Sequence, residues 1–166
     1  MKQIKIHREF DHPLQTLLLA REERYKHLDK FPELKNVKTV SEKKEGNILF
    51  QERHISIGEA LPQVILTLIP SGNLVLIEKS EFHEDTNTHI FHVIPQGMEN
   101  IFEIKGVSRY SSISESRSQR DYGVDITSQA FLVGAFVEGA IAEVYHSNLE
   151  KDKHSIINFL KEMNHG

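Results

Sequence analysis

Ten histidines are the first residues in this chain that invite chemistry: His7, His12, His27, His54, His83, His89, His92, His146, His154 and His165. Imidazole binds metals and carries protons near neutral pH. No two of them have HExxH or a comparable ligand spacing. His89 and His92 fall three apart on a predicted strand, so their side chains leave on opposite faces and cannot share one ion. No metal site and no cofactor are therefore expected. His92 alternates with Ile90 and Ile94 and is read as lying on the same apolar face. A ring buried there needs a partner for its nitrogens, so His92 is read as a polar handle in a pocket or as a satisfied core or solvent-face residue.

The other candidates are sparser. Glu138 sits among apolar neighbours at the opening of a predicted helix, where the backbone dipole favours a carboxylate. It is either a structural acid or a polar anchor at the end of a cavity. Glu52, Glu78 and Glu81 stand close to Lys or Arg, and nothing pairs them into an acid/base couple. The serine-rich stretch 108–118 holds neither a GxSxG elbow nor an S-x-x-K motif, so it reads as a solvated hairpin. No P-loop and no GxGxxG is present, and no catalytic residue is assigned.

The chain as a whole narrows the classes. Its 166 residues suit one domain, 1–166. The net charge is -4, divided between +3 over residues 1–46 and -7 over the remainder. A pI near 6.2 argues against a nucleic-acid partner. The basic N-terminal third leaves transient contact with an anionic membrane surface open, although a solvated helix pair explains the same charges. The absence of cysteine rules out disulfides and thiol chemistry and fits a reducing compartment, so a cytoplasmic location is expected. The N-terminus lacks an apolar run of signal-peptide length, and no stretch reaches transmembrane length.

Those residues must be positioned by the following elements. Residues 2–10 alternate as a strand, and Asp11-His12-Pro13 then starts a helix that continues as a second helical segment to about residue 30. Strand patterns follow at 37–41, 47–57, 64–69, 74–82, 88–94, 101–113 and 119–127. Glu45-Gly46-Asn47, Pro70-Ser71-Gly72-Asn73, Asp85-Thr86-Asn87 and Pro95-Gln96-Gly97 mark the turns between them, which implies antiparallel hairpins. Residues 134–163 form one long helix, with a polar middle at Glu150-Lys151-Asp152-Lys153 that allows a bend or an exposed stretch. The expected class is α+β: a curved antiparallel sheet of six or seven strands needs a cover, and this helix alone is long enough.

The element order resembles the START-like (helix-grip, SRPBCC) superfamily. The join from Val124 to Ile141, with Gly134 ahead of Val137-Glu138, resembles two groups within it. One is an uncharacterised bacterial START-like family and the other the PRELI family of mitochondrial lipid-transfer proteins. Ile104-Lys105-Gly106 resembles a strand-Gly-strand feature of the same family. Where the family usually carries a proline, this chain has Gln129-Ala130-Phe131-Leu132. The resemblance implies an internal cavity that binds or carries a lipid or another small hydrophobic ligand. From the strands its lining would be Phe50, Leu66, Leu76, Ile90, His92, Ile104, Tyr122 and Val124. From the helix it would be Val137, Glu138, Ile141, Val144 and Tyr145. Two alternatives stand beside this: an enzyme of the cyclase or hydrolase type, needing His92, Glu138 and Tyr145 within hydrogen-bond reach, and a protein-interaction module with a solid core.

Overall fold

The computed structural model describes residues 1–26, 36–57, 63–68 and 74–165. Seven strands form one sheet: β1 (Lys2–Phe10), β2 (Val37–Glu45), β3 (Ile48–Ile57), β4 (Leu74–His83), β5 (Thr88–Pro95), β6 (Glu103–Ser112) and β7 (Ser118–Thr127). The spatial order is β1-β7-β6-β5-β4-β3-β2, and every pairing is antiparallel. From β2 to β7 each strand thus pairs with the next, β3 and β4 across the segment that holds the short helix at 63–66, while β1 pairs with the last strand. The β2–β3 turn needs only Gly46 and Asn47, and Gly46 adopts φ 59°, a conformation that costs a residue without Cβ little. The opposite edge is β2, whose exposed lysines and glutamates discourage pairing with another sheet.

Helix α1 (Leu14–Glu23) follows β1 and ends in a 3-10 turn at Arg24–Lys26. The second helical segment foreseen up to residue 30 otherwise lies outside the described residues, as does the turn at 70–73. A correction concerns residues 64–69: the described part belongs to a single helical turn, α2 (Gln63–Leu66), not to a strand. A short run such as Val64-Ile65-Leu66 satisfies either period, so alternation cannot separate the two. Helix α3 (Gly134–His165) runs unbroken through the polar segment at 150–153.

Two apolar clusters hold helices to sheet. One joins Ile4, Ile6, Leu74, Leu76, Phe91, Val93, Ile104, Val124 and Ile126 to Val137, Ile141 and Ala142 of α3. The other joins Phe10, Phe82 and Tyr110 to Leu17 and Ala20 of α1 and to Ile156, Phe159 and Leu160 of α3. The backbone of α3 approaches β1, β7, α1 and α2 most closely, so longer side chains must bridge the middle of the sheet. One such side chain is Phe91, which lies flat across Gly106 on the neighbouring strand. A Cβ at Gly106 would stand 2.2 Å from the Phe91 ring. Gly106→Ala is expected to cost about 1–3 kcal/mol in urea unfolding, because the ring must leave its place in the first cluster.

Candidate functional site

The inner face of the sheet is apolar at one end and charged across its middle. Alternation turns Gln51, Arg53, Glu78, Ser80, His89, Ser108, Arg120 and Tyr122 toward the helices. All of these are buried except Glu78, which is half-buried. From the opposite side, α1 and its 3-10 turn supply Arg21, Glu22, Arg24 and Tyr25, while α3 supplies Tyr145, Asp152 and Ser155. The result is a polar seam between the two apolar clusters.

Three carboxylates organise the seam. Glu22 accepts from Arg53 Nη2 at 2.8 Å, Arg21 Nη1 at 2.9 Å and Gln51 Nε2 at 3.3 Å. Asp152 pairs with Arg24 through its side chain and accepts a further bond from Arg24 Nη1 on its carbonyl at 3.4 Å. Glu78 stands directly across the ladder from Arg53, and among the described residues no hydrogen bond reaches its carboxylate. Burial raises the Glu78 carboxyl above its ordinary value, and Arg53, Arg21 and Arg120 oppose that shift.

Arg120 is a buried cation on β7, with 8% of its surface exposed. Its Nε donates to Ser108 Oγ at 3.1 Å, and its Nη2 lies 3.5 Å from His89 Nδ1. The guanidinium lies 4.2 Å from the centre of the Tyr122 ring and 4.6 Å from that of Tyr110. Such faces attract a cation. Arginine only donates, so His89 Nδ1 must be the accepting nitrogen and Nε2 carries the proton. Burial, reinforced by Arg21, Arg120 and Arg53, holds the His89 pKa well below 6.5, which keeps the ring neutral. Burial likewise pushes the Tyr122 and Tyr145 phenols up, against the pull of Arg120, and both remain donors. Tyr145 stacks on Phe91 with centroids 6.4 Å apart, bringing α3 over the centre of the sheet.

The foreseen lining residues divide into three groups. Leu76, Ile104, Tyr122, Val124, Val137 and Ile141 come together in the first apolar cluster, and Tyr145 packs against it. Val144 is half-buried on α3. Phe50, Ile90 and His92 require correction: they project from the outer face, away from α3. There they line an open groove of about 790 Å³ bordered by Lys79, Glu81, Lys105 and Asp125. The inner register of β5 is His89, Phe91 and Val93, one residue away from the one expected. His92 Nε2 lies 3.1 Å from Glu103 on that outer face. Leu66 sits on α2, largely exposed.

Glu138 is a structural acid at the β7–α3 join. It accepts the backbone N–H of Ser128 at 2.9 Å and lies 3.0 Å from the Met1 amine. The Ser128 bond holds its pKa below the usual carboxylate range. His92, Glu138 and Tyr145 therefore occupy three separate places and cannot act together. The serine-rich stretch is a hairpin, but its end residue Ser118 and the nearby Ser108 are buried, Ser108 as a partner of Arg120. The seam residues Arg21, Arg53, Glu78, His89 and Arg120 were missed. The available signal was the alternation of β7, where Arg120 shares a parity with Tyr122, Val124 and Ile126.

No family model matches the chain, and no curated protein does either. Solved structures do. A Zhui aromatase/cyclase from Streptomyces sp. R1128 superposes with a TM-score of 0.65 at 9% identity, covering 96% of this chain and 93% of that one. Ara h 8.0201 superposes with a TM-score of 0.65 at 11% identity, over 96% and 98%. Norcoclaurine synthase from Thalictrum flavum gives 0.61 at 12% identity, over 97% and 87%. At such identities the likeness establishes the fold, and this chain has the helix-grip fold. Among the described residues no helix is long and apolar enough to cross a membrane.

His89 gives the fold a pH signature. The folded ring stays neutral, whereas the unfolded ring takes a proton below about its ordinary 6.5. The unfolded state then binds more protons, so stability falls as the solution is acidified from that point. His89→Gln is expected to flatten the fall between about pH 6.5 and pH 5 by up to about 1.4 kcal/mol per pH unit, measured by urea unfolding. An unchanged slope would show that the buried ring is not the group responsible. Glu78, with its raised pKa, contributes in the opposite sense, favouring the fold as pH drops.

Proposed function

We propose that the protein binds one small, largely hydrophobic molecule between the sheet and α3. The carrying observation concerns Glu78 and Tyr145. Both are surrounded by protein, and both keep part of their surface accessible. Side chains enclosed yet not fully covered are what an interior open to a small molecule would leave at its border. Apolar residues of the first cluster flank that space, so a ligand's apolar part would gain about 25 cal/mol for each Å² it buries, less the cost of association. Neighbours of the same fold support the reading by what they do: one is an aromatase/cyclase and another a synthase, each acting on a small molecule. The likeness of Gly134 and Val137-Glu138 to lipid-transfer proteins supports a lipid-like ligand within this reading.

Nile red, a neutral apolar dye, is expected to bind in a saturable manner at about one molecule per chain, with solvent extracts of the purified protein read in parallel by mass spectrometry. Ile141→Trp places extra bulk beside Tyr145. In an open interior it leaves the unfolding midpoint nearly unchanged and weakens dye binding about tenfold or more. If the interior is solid, the same variant loses stability, the wild type does not bind the dye and the reading fails.

Delivery of a lipid-like ligand calls for a surface that meets its source. Phe131, Leu132 and Phe136 project into solvent where β7 joins α3, and three adjacent apolar side chains at a protruding corner fit transient contact with a membrane. Replacing all three with serine is expected to lower the fraction floating with phosphatidylcholine vesicles about fivefold or more, with the fold preserved by circular dichroism. Equal flotation of variant and wild type would remove this surface from the account.

A further inference from the structure

The polar seam has an imbalance of hydrogen-bonding partners. Arg21, Arg24, Arg53 and Arg120 face inward among the described residues, against the carboxylates of Glu22, Glu78 and Asp152. At the rim Arg8 is matched by Glu150, and Lys153 lies over the Phe10 ring. Glu22 serves Arg21 and Arg53, and Asp152 serves Arg24. Glu78 is opposed most strongly by Arg53 and then Arg21. Arg120 is the least well matched: its recorded ion pair is to Asp152 Oδ2, which is 3.9 Å from Nη1, beyond hydrogen-bond reach, on a carboxylate already bonded to Arg24.

The groups around Arg120 are short of acceptors too. His89 Nε2 and the Tyr110 hydroxyl are fully buried and, among the described residues, have no hydrogen-bond partner. Their residues are only 7% and 3% exposed. Tyr145 and Tyr122, held protonated, add two more hydroxyl groups near the same guanidinium. Burying donors without acceptors is costly, and burying a weakly paired cation more so. A site with surplus donors and one surplus positive charge is complementary to a monoanion with several oxygen lone pairs.

We propose that the ligand carries a carboxylate, and that this head group is received by Arg120 together with the Tyr110 hydroxyl, while its apolar body lies against Phe91, Tyr145 and the first cluster. This rests on the interior-binding reading above and adds the chemical class of the ligand. A carboxylate supplies two oxygens that match the guanidinium fork. Its single charge balances the excess of one arginine.

The test is competition against Nile red at pH 7.5 with matched pairs: dodecanoate and dodecanol, naphthoate and naphthalenemethanol. In the wild type at least one carboxylate should displace the dye about tenfold more tightly than its alcohol. Arg120→Met should reduce that preference to about twofold or less while moving alcohol affinity by less than about threefold. Tyr110→Phe, which retains the ring under Arg120, should lower the preference about two- to fivefold and keeps the test decisive if the arginine variant does not fold. Equal binding of acid and alcohol in the wild type, or an unchanged preference in the folded variants, overturns the carboxylate assignment and leaves the interior-binding reading intact. Dodecyl phosphate binding more than about tenfold tighter than dodecanoate also overturns it, in favour of a dianionic head group. Failure of every ligand and of the dye overturns both.

Discussion

The structure depends on α3 bringing a carboxylate to a sheet whose inner face carries arginines. Asp152, in the middle of the long helix, meets Arg24 from the 3-10 turn and stands near Arg120 from β7. A buried arginine with no counter-charge would cost several kcal/mol. The helix is therefore held at this position by charge as well as by apolar packing on either side. A slip of one residue along α3 would rotate Asp152 by about 100° and withdraw it from the seam.

The seam also explains why the interior divides into two apolar clusters. Helix α1 covers one end of the strands, at Phe10, Phe82 and Tyr110, with Leu17 and Ala20, and the first turns of α3 cover the other end, at Ile4, Ile104 and Ile126, with Val137 and Ile141. Neither helix backbone comes as close to β3, β4 and β5 as to β7, so the gap there is spanned by arginine, tyrosine and phenylalanine side chains. Long amphipathic side chains can lie with their stems on the apolar clusters and their polar tips toward one another. That arrangement sets an apolar surface beside a donor-rich one.

Much of the architecture was legible in the sequence because it rests on local signals. Turn residues at 45–47 and 85–87 gave the hairpins, with Asn87 at φ 51°, and the long amphipathic period at 134–163 gave the covering helix. The order of elements pointed to the helix-grip fold, which the superpositions bear out. The site was less legible, and β5 shows why. In His89-Ile90-Phe91-His92-Val93-Ile94 each parity contains one histidine and two apolar residues, so alternation assigns neither face. A one-residue error there exchanged His92 for His89 and Ile90 for Phe91. On β7 the outer parity is Gln119, Asp121, Gly123 and Asp125, which leaves one choice, and Tyr122 and Val124 were placed correctly.

The charged middle was hidden by the same rule that revealed the rest. Reading a sheet face by hydrophobicity assigns arginine and glutamate to solvent, so Arg53, Glu78 and Arg120 were passed over although they share parity with core residues on their own strands. Local rules give way where function requires a polar interior. Stability alone would favour apolar residues at these positions, because an ion pair buried in a core rarely repays its desolvation. That the chain places four arginines there, and holds Arg120 3.9 Å from the carboxylate it shares with Arg24, is the feature that the proposed acidic ligand would answer and a purely apolar one would not.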